Sequence, residues 1–267
     1  MKNSLKAAVA ATLLVAATAV IAGCASKDSD KSSEQDAKSE SSKAAVSEPE
    51  PLPQREYKDP SEYGKVIALT FDDGPCEYTE EVLEVLAKYG VKACFFVIAS
   101  QTQYLHLLPK ILEQGHTLGI HCYDHRSYGW LYQNERNYFT DLMAAQEIVH
   151  DVTGQYAHVV RFPGSSRTAS FLAGTFPGGS EEMYRVMREA GVRVYDWNVQ
   201  PESATKTTEG SIIDFTHPKE PYEYAVVLQH DTRLFSVRAL ESMIRWALEE
   251  GYTFAALDDT FPEIHFC

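Results

Sequence analysis

The stretch Val66-Ile67-Ala68-Leu69-Thr70-Phe71-Asp72-Asp73-Gly74-Pro75, with the run from Thr79 to Tyr89 and then Gly90 behind it, decides how the rest of the chain is read. Val66–Phe71 carries no charge and is rich in aliphatic and aromatic residues, the pattern of a strand buried on both faces. Asp, Gly and Pro then end it in a turn. The next run puts Val82, Val85, Leu86 and Tyr89 on one helical face, with Thr79 as the expected cap and Gly90 as the terminator. Strand, turn and helix in that order form the unit of a parallel sheet with helices outside.

The same unit recurs along the chain. Further strands are expected at Ala93–Ile98, Thr117–Ile120, Val159–Phe162, Val192–Trp197, Ala225–Gln229 and Thr253–Ala256. Ser180 is the expected cap of a helix that turns Met183, Val186, Met187 and Ala190 inward before Gly191. Ser236 should cap the last helix, which runs through Leu240, Ile244, Ala247 and Leu248 to Gly251. About seven parallel strands in ~205 residues favour a barrel or near-barrel over an open sheet.

In such architectures the working groups sit just past the C-terminal ends of the strands. There the sequence places Asp72 and Asp73, then His121-Cys122-Tyr123-Asp124-His125, Arg161-Phe162-Pro163-Gly164, Asp196-Trp197 and Gln229-His230-Asp231. Singly, each has a plainer reading. Adjacent aspartates before Gly-Pro make a turn, histidines four apart recur by chance, Arg161 suits a surface ion pair, and His230 suits a core. Together, at five of the seven expected strand ends, they argue for one rim carrying carboxylates, imidazoles and a guanidinium.

The segments outside the folded part read differently. Lys2 and Lys6 precede an apolar run from Ala7 to Ala22 that ends in Ile21-Ala22-Gly23-Cys24. The run is short of the ~20 residues a bilayer span needs. It resembles the bacterial lipobox, which implies cleavage before Cys24, a lipid on its thiol, and residence on the outer face of the cell membrane. An uncleaved anchor helix is the other reading. Residues 25–56 are rich in serine and charge and poor in large aliphatics, so they should form a disordered tether. Residues 57–267 then make one domain.

The chain's net charge is −14. Residues 1–24 carry two lysines and no acid, and residues 25–56 carry five basic and eight acidic groups, which leaves −13 on residues 57–267. An acidic folded domain argues against nucleic acid and against adhesion to an anionic membrane surface. Contact with the membrane is therefore expected through the lipid anchor alone. Monomer is the default expectation.

Thr-Phe-Asp-Asp-Gly-Pro, the His121/His125 pair, Arg161-Phe162-Pro163, Asp196-Trp197 and Leu228-Gln229-His230-Asp231 together resemble the NodB-type polysaccharide deacetylases, carbohydrate esterase family 4. The resemblance covers about Lys65 to Ala256 and implies a distorted (β/α) barrel. It implies metal-dependent removal of acetyl groups from an N-acetylated surface glycan, with peptidoglycan N-acetylglucosamine the leading substrate. Position by position, Asp72 matches the general base, while Asp73, His121 and His125 match the ligands of a divalent metal. That metal is expected to be zinc, with cobalt, nickel or manganese as alternatives. Arg161 matches the residue that orients the base, His230 the general acid, Gly164 the backbone N–H donor to the oxyanion, and Trp197 a wall of the substrate site.

The chain also departs from that pattern. Cys122 stands where the family carries Ser or Thr, and Phe162 and Gly164 alter the wall after Arg161. The carboxylates that hold the acid histidine are replaced around Gln200-Pro201-Glu202-Ser203, leaving Glu202, Asp196 or Asp231 to substitute. A glycan-binding lipoprotein with a degenerate site is thus the alternative, and a two-lobed solute-binding lipoprotein a more distant one. Cys76, Cys94, Cys122 and Cys267 are even in number and, outside the cytoplasm, free to pair. Tyr123, Tyr128, Trp130, Tyr132 and Trp197 are candidates for stacking on sugar rings.

Overall fold

The computed structural model describes residues 64–125, 128–169, 179–202, 206–258 and 260–266. The expected signal and tether, Cys24 and Cys267 lie outside the described residues. Seven strands are present: β1 (Val66–Asp72), β2 (Ala93–Ile98), β3 (Thr117–Cys122), β4 (Val159–Val160), β5 (Arg193–Val194), β6 (Tyr224–His230) and β7 (Thr253–Phe254). The described helices are α1 (Thr79–Tyr89), α2 (Leu107–Glu113), α3 (Tyr128–Leu131), α4 (Glu135–Thr153), α5 (Ser166–Ala169), α6 (Gly179–Glu189), α7 (Thr208–Thr216) and α8 (Leu234–Glu249).

All strand pairs are parallel, in the order β5-β4-β3-β2-β1-β6, with β7 beside the start of β1. Past β5, Val199 bridges to Val227, and Leu228 N donates to Val199 O at 2.9 Å. That single bridge ties the far end of the curled sheet back to β6, which gives a distorted barrel. β1 and β2 are buried along their whole length, as the uncharged runs Val66–Phe71 and Ala93–Ile98 require, with Asp72 buried at the end of β1. Ala68, Cys94, Phe96, Val159, Tyr195 and Val226 pack in one cluster with Leu257 and Phe261. Thr70 and Asp72 share the parity of Ala68 along β1, so the same strand carries a dry core low down and polar groups at its C-terminal end.

Three expected caps are wrong, and two of the hydroxyls, those of Thr79 and Ser236, have found other partners. Thr79 is the first residue of α1, and its Oγ1 donates to Asp231 Oδ2 at 2.6 Å and accepts from Cys76 N at 2.8 Å. Ser236 lies inside α8 and accepts from Gln229 Nε2 at 3.1 Å. Ser180 is the second residue of α6. The expected partner strands Val159–Phe162 and Val192–Trp197 pair over only two residues each, because the backbone turns away to deliver Arg161 and Asp196. Cys76, Cys94 and Cys122 are free thiols.

Candidate active site

Adjacent strand residues point to opposite faces, so Asp72 and Asp73 can serve one site only if the strand ends between them. It does. Asp73 takes φ +72°, a left-handed conformation unusual for a residue with a side chain and tolerated best by Asp and Asn. Gly74 continues the turn where nothing larger fits, since a Cβ there would stand 2.2 Å from Asp231 Oδ2. Ile98 N clamps the turn by donating to Gly74 O at 2.7 Å.

β3 brings the first imidazole by a second irregularity. Its register against β2 passes from Val97↔Ile120 to Ile98↔Cys122, leaving His121 as an extra residue of the kind that re-aims a side chain. His121 Nδ1 lies 2.9 Å from Arg161 O, so that nitrogen carries the proton and Nε2 keeps its lone pair. His121 Nε2 is 3.5 Å and His125 Nε2 3.9 Å from Asp73 Oδ1. Ligand atoms of all three residues lie within 4.8 Å of one another. Asp73 Oδ1 is buried and accepts no hydrogen bond from the described residues. An orphaned carboxylate oxygen facing two imidazole lone pairs suits a divalent cation, and ligand separations of this size suit metal–ligand bonds of ~2.1 Å. Burial pushes the His121 pKa down against the pull of Asp72 and Asp73, which favours the neutral form a ligand needs.

Asp72 is held apart from this triad by Arg161. The guanidinium is fully buried, with Nη1 donating to Asp72 Oδ1 at 2.9 Å and Thr70 Oγ1 at 2.6 Å. Nε donates to Tyr195 O and Nη2 to Asp196 O, both at 3.0 Å. Its face lies 4.2 Å from the centre of the Phe96 ring and 5.6 Å from that of Trp197. The surface ion pair that an arginine usually makes is thus replaced by a dry mount. It fixes one Asp72 oxygen and leaves Oδ2 on the His121 side, 4.0 Å from Nδ1.

His230 approaches from the other side of Asp73, with Nε2 3.8 Å from Oδ2. Behind it stands Glu202, whose Oε2 lies 2.7 Å from His230 Nδ1 while Oε1 accepts the His230 backbone N–H at 2.9 Å. Arg233 Nη1 donates to the same Oε2 at 2.6 Å. Burial works to lower the His230 pKa, but the Glu202 hydrogen bond and the charges of Asp72 and Glu202 outweigh it, and the net shift is upward. Burial likewise works to raise the Glu202 pKa, and His230, Ser236 and Arg233 outweigh it in turn, so Glu202 stays ionised.

Of the three carboxylates open to hold His230, Glu202 does so and the other two are engaged elsewhere. Asp196 is fully buried and takes Ser166 N at 2.8 Å, the Ser166 hydroxyl, and Phe266 N at 2.7 Å, which ties the loop after Arg161 to the end of the chain. Asp231 is buried beneath Gly74 with Thr79, and burial pushes its pKa up to about 7. Cys76 donates to Asp231 O at 3.3 Å, and burial raises its thiol pKa. Cys122 is buried and its pKa is likewise raised.

Gly164 lies on the rim with φ +80°, beside Tyr128. Trp197 backs Arg161 and donates from Nε1 to Gln200 Oε1 at 3.1 Å. Tyr132, a candidate for stacking, is instead 1 % exposed and donates to Pro163 O at 2.8 Å. Arg233, which the sequence reading passed over, lies three residues past His230 at the head of α8, a spacing that points it back at the strand end.

The profile of the family described as polysaccharide deacetylase matches residues 59–195. This chain belongs to the polysaccharide deacetylase family. The deacetylase is 29% identical over 214 residues to a peptidoglycan-N-acetylglucosamine deacetylase of Bacillus cereus, covering 76% of this chain and 71% of that one. It superposes with a TM-score of 0.71 on the catalytic domain of a peptidoglycan N-acetylglucosamine deacetylase from Eubacterium rectale, at 34% identity over 80% of this chain and 96% of the other. A polysaccharide deacetylase from Bacillus cereus superposes at 0.63, with 27% identity over 76% and 97% of the two chains. The deacetylase fold and its hydrolase class follow from this membership. Among the described residues of the deacetylase no helix is long and apolar enough to cross a membrane.

Proposed function

We propose that this chain is a metal-dependent deacetylase of N-acetylated cell-surface glycan, with the N-acetylglucosamine of peptidoglycan as its first substrate. The observation that carries the reading is the placement of a base and an acid on opposite sides of one metal-binding carboxylate. Asp72 and His121 lie on one side of Asp73 and His230 on the other. What a divalent ion held by Asp73, His121 and His125 supplies when bound is a more acidic water and a polarised acyl carbonyl. Zinc is the first choice for a site of one carboxylate and two imidazoles, with cobalt, nickel or manganese able to take its place.

The remaining steps belong to this chain's own groups. Asp72, aimed by the buried Arg161, takes the proton from the attacking water. The Gly164 N–H donates to the oxygen on which negative charge develops. His230, kept protonated by Glu202, delivers its proton to the departing amine, which is otherwise a poor leaving group. Trp197 backs Arg161 and walls the substrate side. The names of the two peptidoglycan deacetylases reported above support the choice of glycan.

The same reading covers the rest of the chain. Residues 1–24 serve as a lipoprotein signal, Cys24 takes the lipid, residues 25–56 are a tether, and residues 57–267 act as a monomeric enzyme at the outer face of the membrane. The binding-only alternative arose from the altered stretch Gln200 to Ser203. Glu202 at His230 supports turnover instead. The test is acetate release from purified peptidoglycan and from N-acetylglucosamine oligomers, with the protein loaded with zinc or cobalt. Release from either supports the reading, and release from neither removes it.

A further inference from the structure

Ser165 holds a backbone conformation that its side chain disfavours. Its φ is +104°, beyond the small left-handed region open to residues with a Cβ, and it follows Gly164 at φ +80°. Strain of this kind persists only where the surroundings over-determine it. Ser165 is buried, its N–H donates to Phe162 O at 2.9 Å, and its carbonyl accepts from Ala169 N at 3.1 Å. The peptide between Pro163 and Gly164 is fixed as well, because the Tyr132 hydroxyl donates to Pro163 O at 2.8 Å. A trans peptide carries its N–H opposite its carbonyl, so the Gly164 N–H points away from the buried Tyr132.

The next residue along, Ser166, is gripped by Asp196. Fully buried, Asp196 accepts from Ser166 N at 2.8 Å through Oδ1, and from the Ser166 hydroxyl and Phe266 N through Oδ2, the latter at 2.7 Å. The Ser166 hydroxyl accepts from the same Phe266 N at 2.9 Å. Asp196 N donates to Ile264 O at 2.7 Å, and the Phe266 ring meets Trp197 edge-on with centroids 5.0 Å apart. Ser166 is therefore held at its N–H and its hydroxyl by a carboxyl group that is itself fastened to residues 264–266. We propose that Asp196 is a positioning residue of the deacetylase: by gripping Ser166 it keeps Ser165 in its strained conformation and so aims the Gly164 N–H at the oxygen on which charge develops. This rests on the deacetylase reading above and adds to it the group that sets the oxyanion donor. Asp196, being fully buried, acts only through the loop.

The experiment measures kcat and KM for acetate release from N-acetylglucosamine oligomers by zinc-loaded wild type, Asp196→Asn, Ser165→Gly and the double variant, well below the Tm of each. Asp196→Asn sets an amide NH2 against the N–H of Ser166 or of Phe266 and loosens the grip. Its kcat should fall about 10–100-fold, the cost of a misplaced oxyanion donor. Its KM should stay within about threefold, since that contact acts in the transition state. Glycine takes a positive φ without strain, so Ser165→Gly should raise kcat about tenfold in the Asp196→Asn background and by far less in wild type. A residue that only stabilised the fold would lower Tm and leave the kcat of the folded protein unchanged. That result, or a loss that Ser165→Gly does not recover, overturns the proposal. If Asp196→Asn fails to fold, Ser166→Ala, which takes the hydroxyl out of the same grip, carries the comparison. Hydrogen exchange read by mass spectrometry tests the loop without turnover. In Asp196→Asn the segment 161–169 should exchange about tenfold faster than in wild type, and unchanged exchange overturns the proposal. Were the wild type to release no acetate, the deacetylase reading would fail while the exchange comparison still decided whether Asp196 holds the loop.

Discussion

Glu202 grips His230 twice, accepting its backbone N–H at 2.9 Å through one oxygen and meeting its Nδ1 at 2.7 Å through the other. The grip raises the imidazole's pKa against burial, so the protonated form persists to higher pH than an unassisted buried histidine would allow. Glu202→Gln removes the charge and keeps the shape. With the pKa of His230 lowered, the alkaline limb of the kcat profile should move to lower pH, and kcat at pH 7.5 should fall on the order of 10–100-fold. A full pH–kcat profile of both proteins checks this, and superimposable alkaline limbs would count against His230 as the acid.

How much of this was legible in the sequence depends on how local each signal is. The strands were legible because β1, β2 and β6 are nearly unbroken apolar runs; the ends of β1 and β6 carry Asp72, Asp73 and His230, and those of β3 and β4 carry His121, His125 and Arg161. The choice of Glu202 over Asp196 and Asp231 was not, because it turns on a contact across 28 residues of chain. α4 escaped for a different reason. Its inward face includes the buried polar groups Asp141 and Gln146, which break the apolar stripe and bond instead to Tyr123 N and to the backbone of Ala157. The bulge at His121 and the left-handed turn at Asp73 leave no periodic trace, yet they are what converges the ligands.

Arg161 should matter to stability as much as to rate. It is fully buried with its Asp72 partner, and removing one member of a buried pair strands the other charge. Arg161→Met should therefore cost about 3–5 kcal/mol, which for a domain of this size is a fall in Tm of about 10 °C. Calorimetric scans of the two proteins decide it. A Tm within about 2 °C of wild type would mean that the buried Arg161–Asp72 contact contributes little to stability.

Metal binding should act on folding as well as on activity, because a ligand that binds only the native state stabilises it by mass action. Zinc in excess over its dissociation constant should raise the wild-type Tm by several degrees, and a chelator should reverse the shift. Asp73→Asn, which weakens one of the three ligands, should lose most of the shift and bind well under one zinc per chain. A retained shift and full metal content would place the metal elsewhere.

His116 should limit stability in mild acid. Its buried ring accepts the Ala93 N–H through Nδ1 at 3.2 Å, and burial, reinforced by Lys92, pushes its pKa from the ordinary 6.5 down to about 4. The unfolded chain therefore binds a proton that the native ring refuses. Stability is intact above pH 6.5 and drains as the pH falls toward about 4. His116→Asn should flatten that part of the profile in urea titrations at pH 7.5 and 4.5. An equal loss in both proteins would assign the acid sensitivity to other groups.

Asp72 carries the central claim, since it is mounted on Arg161 beside the candidate metal triad without belonging to it. The direct measurement is acetate released from N-acetylglucosamine oligomers by zinc-loaded wild type and by zinc-loaded Asp72→Asn, with metal content determined for both. The expected result is turnover by wild type, a fall of about 10²–10⁴-fold in the variant, and equal zinc in the two proteins. Equal acetate release from wild type and Asp72→Asn, each holding its zinc, would contradict it.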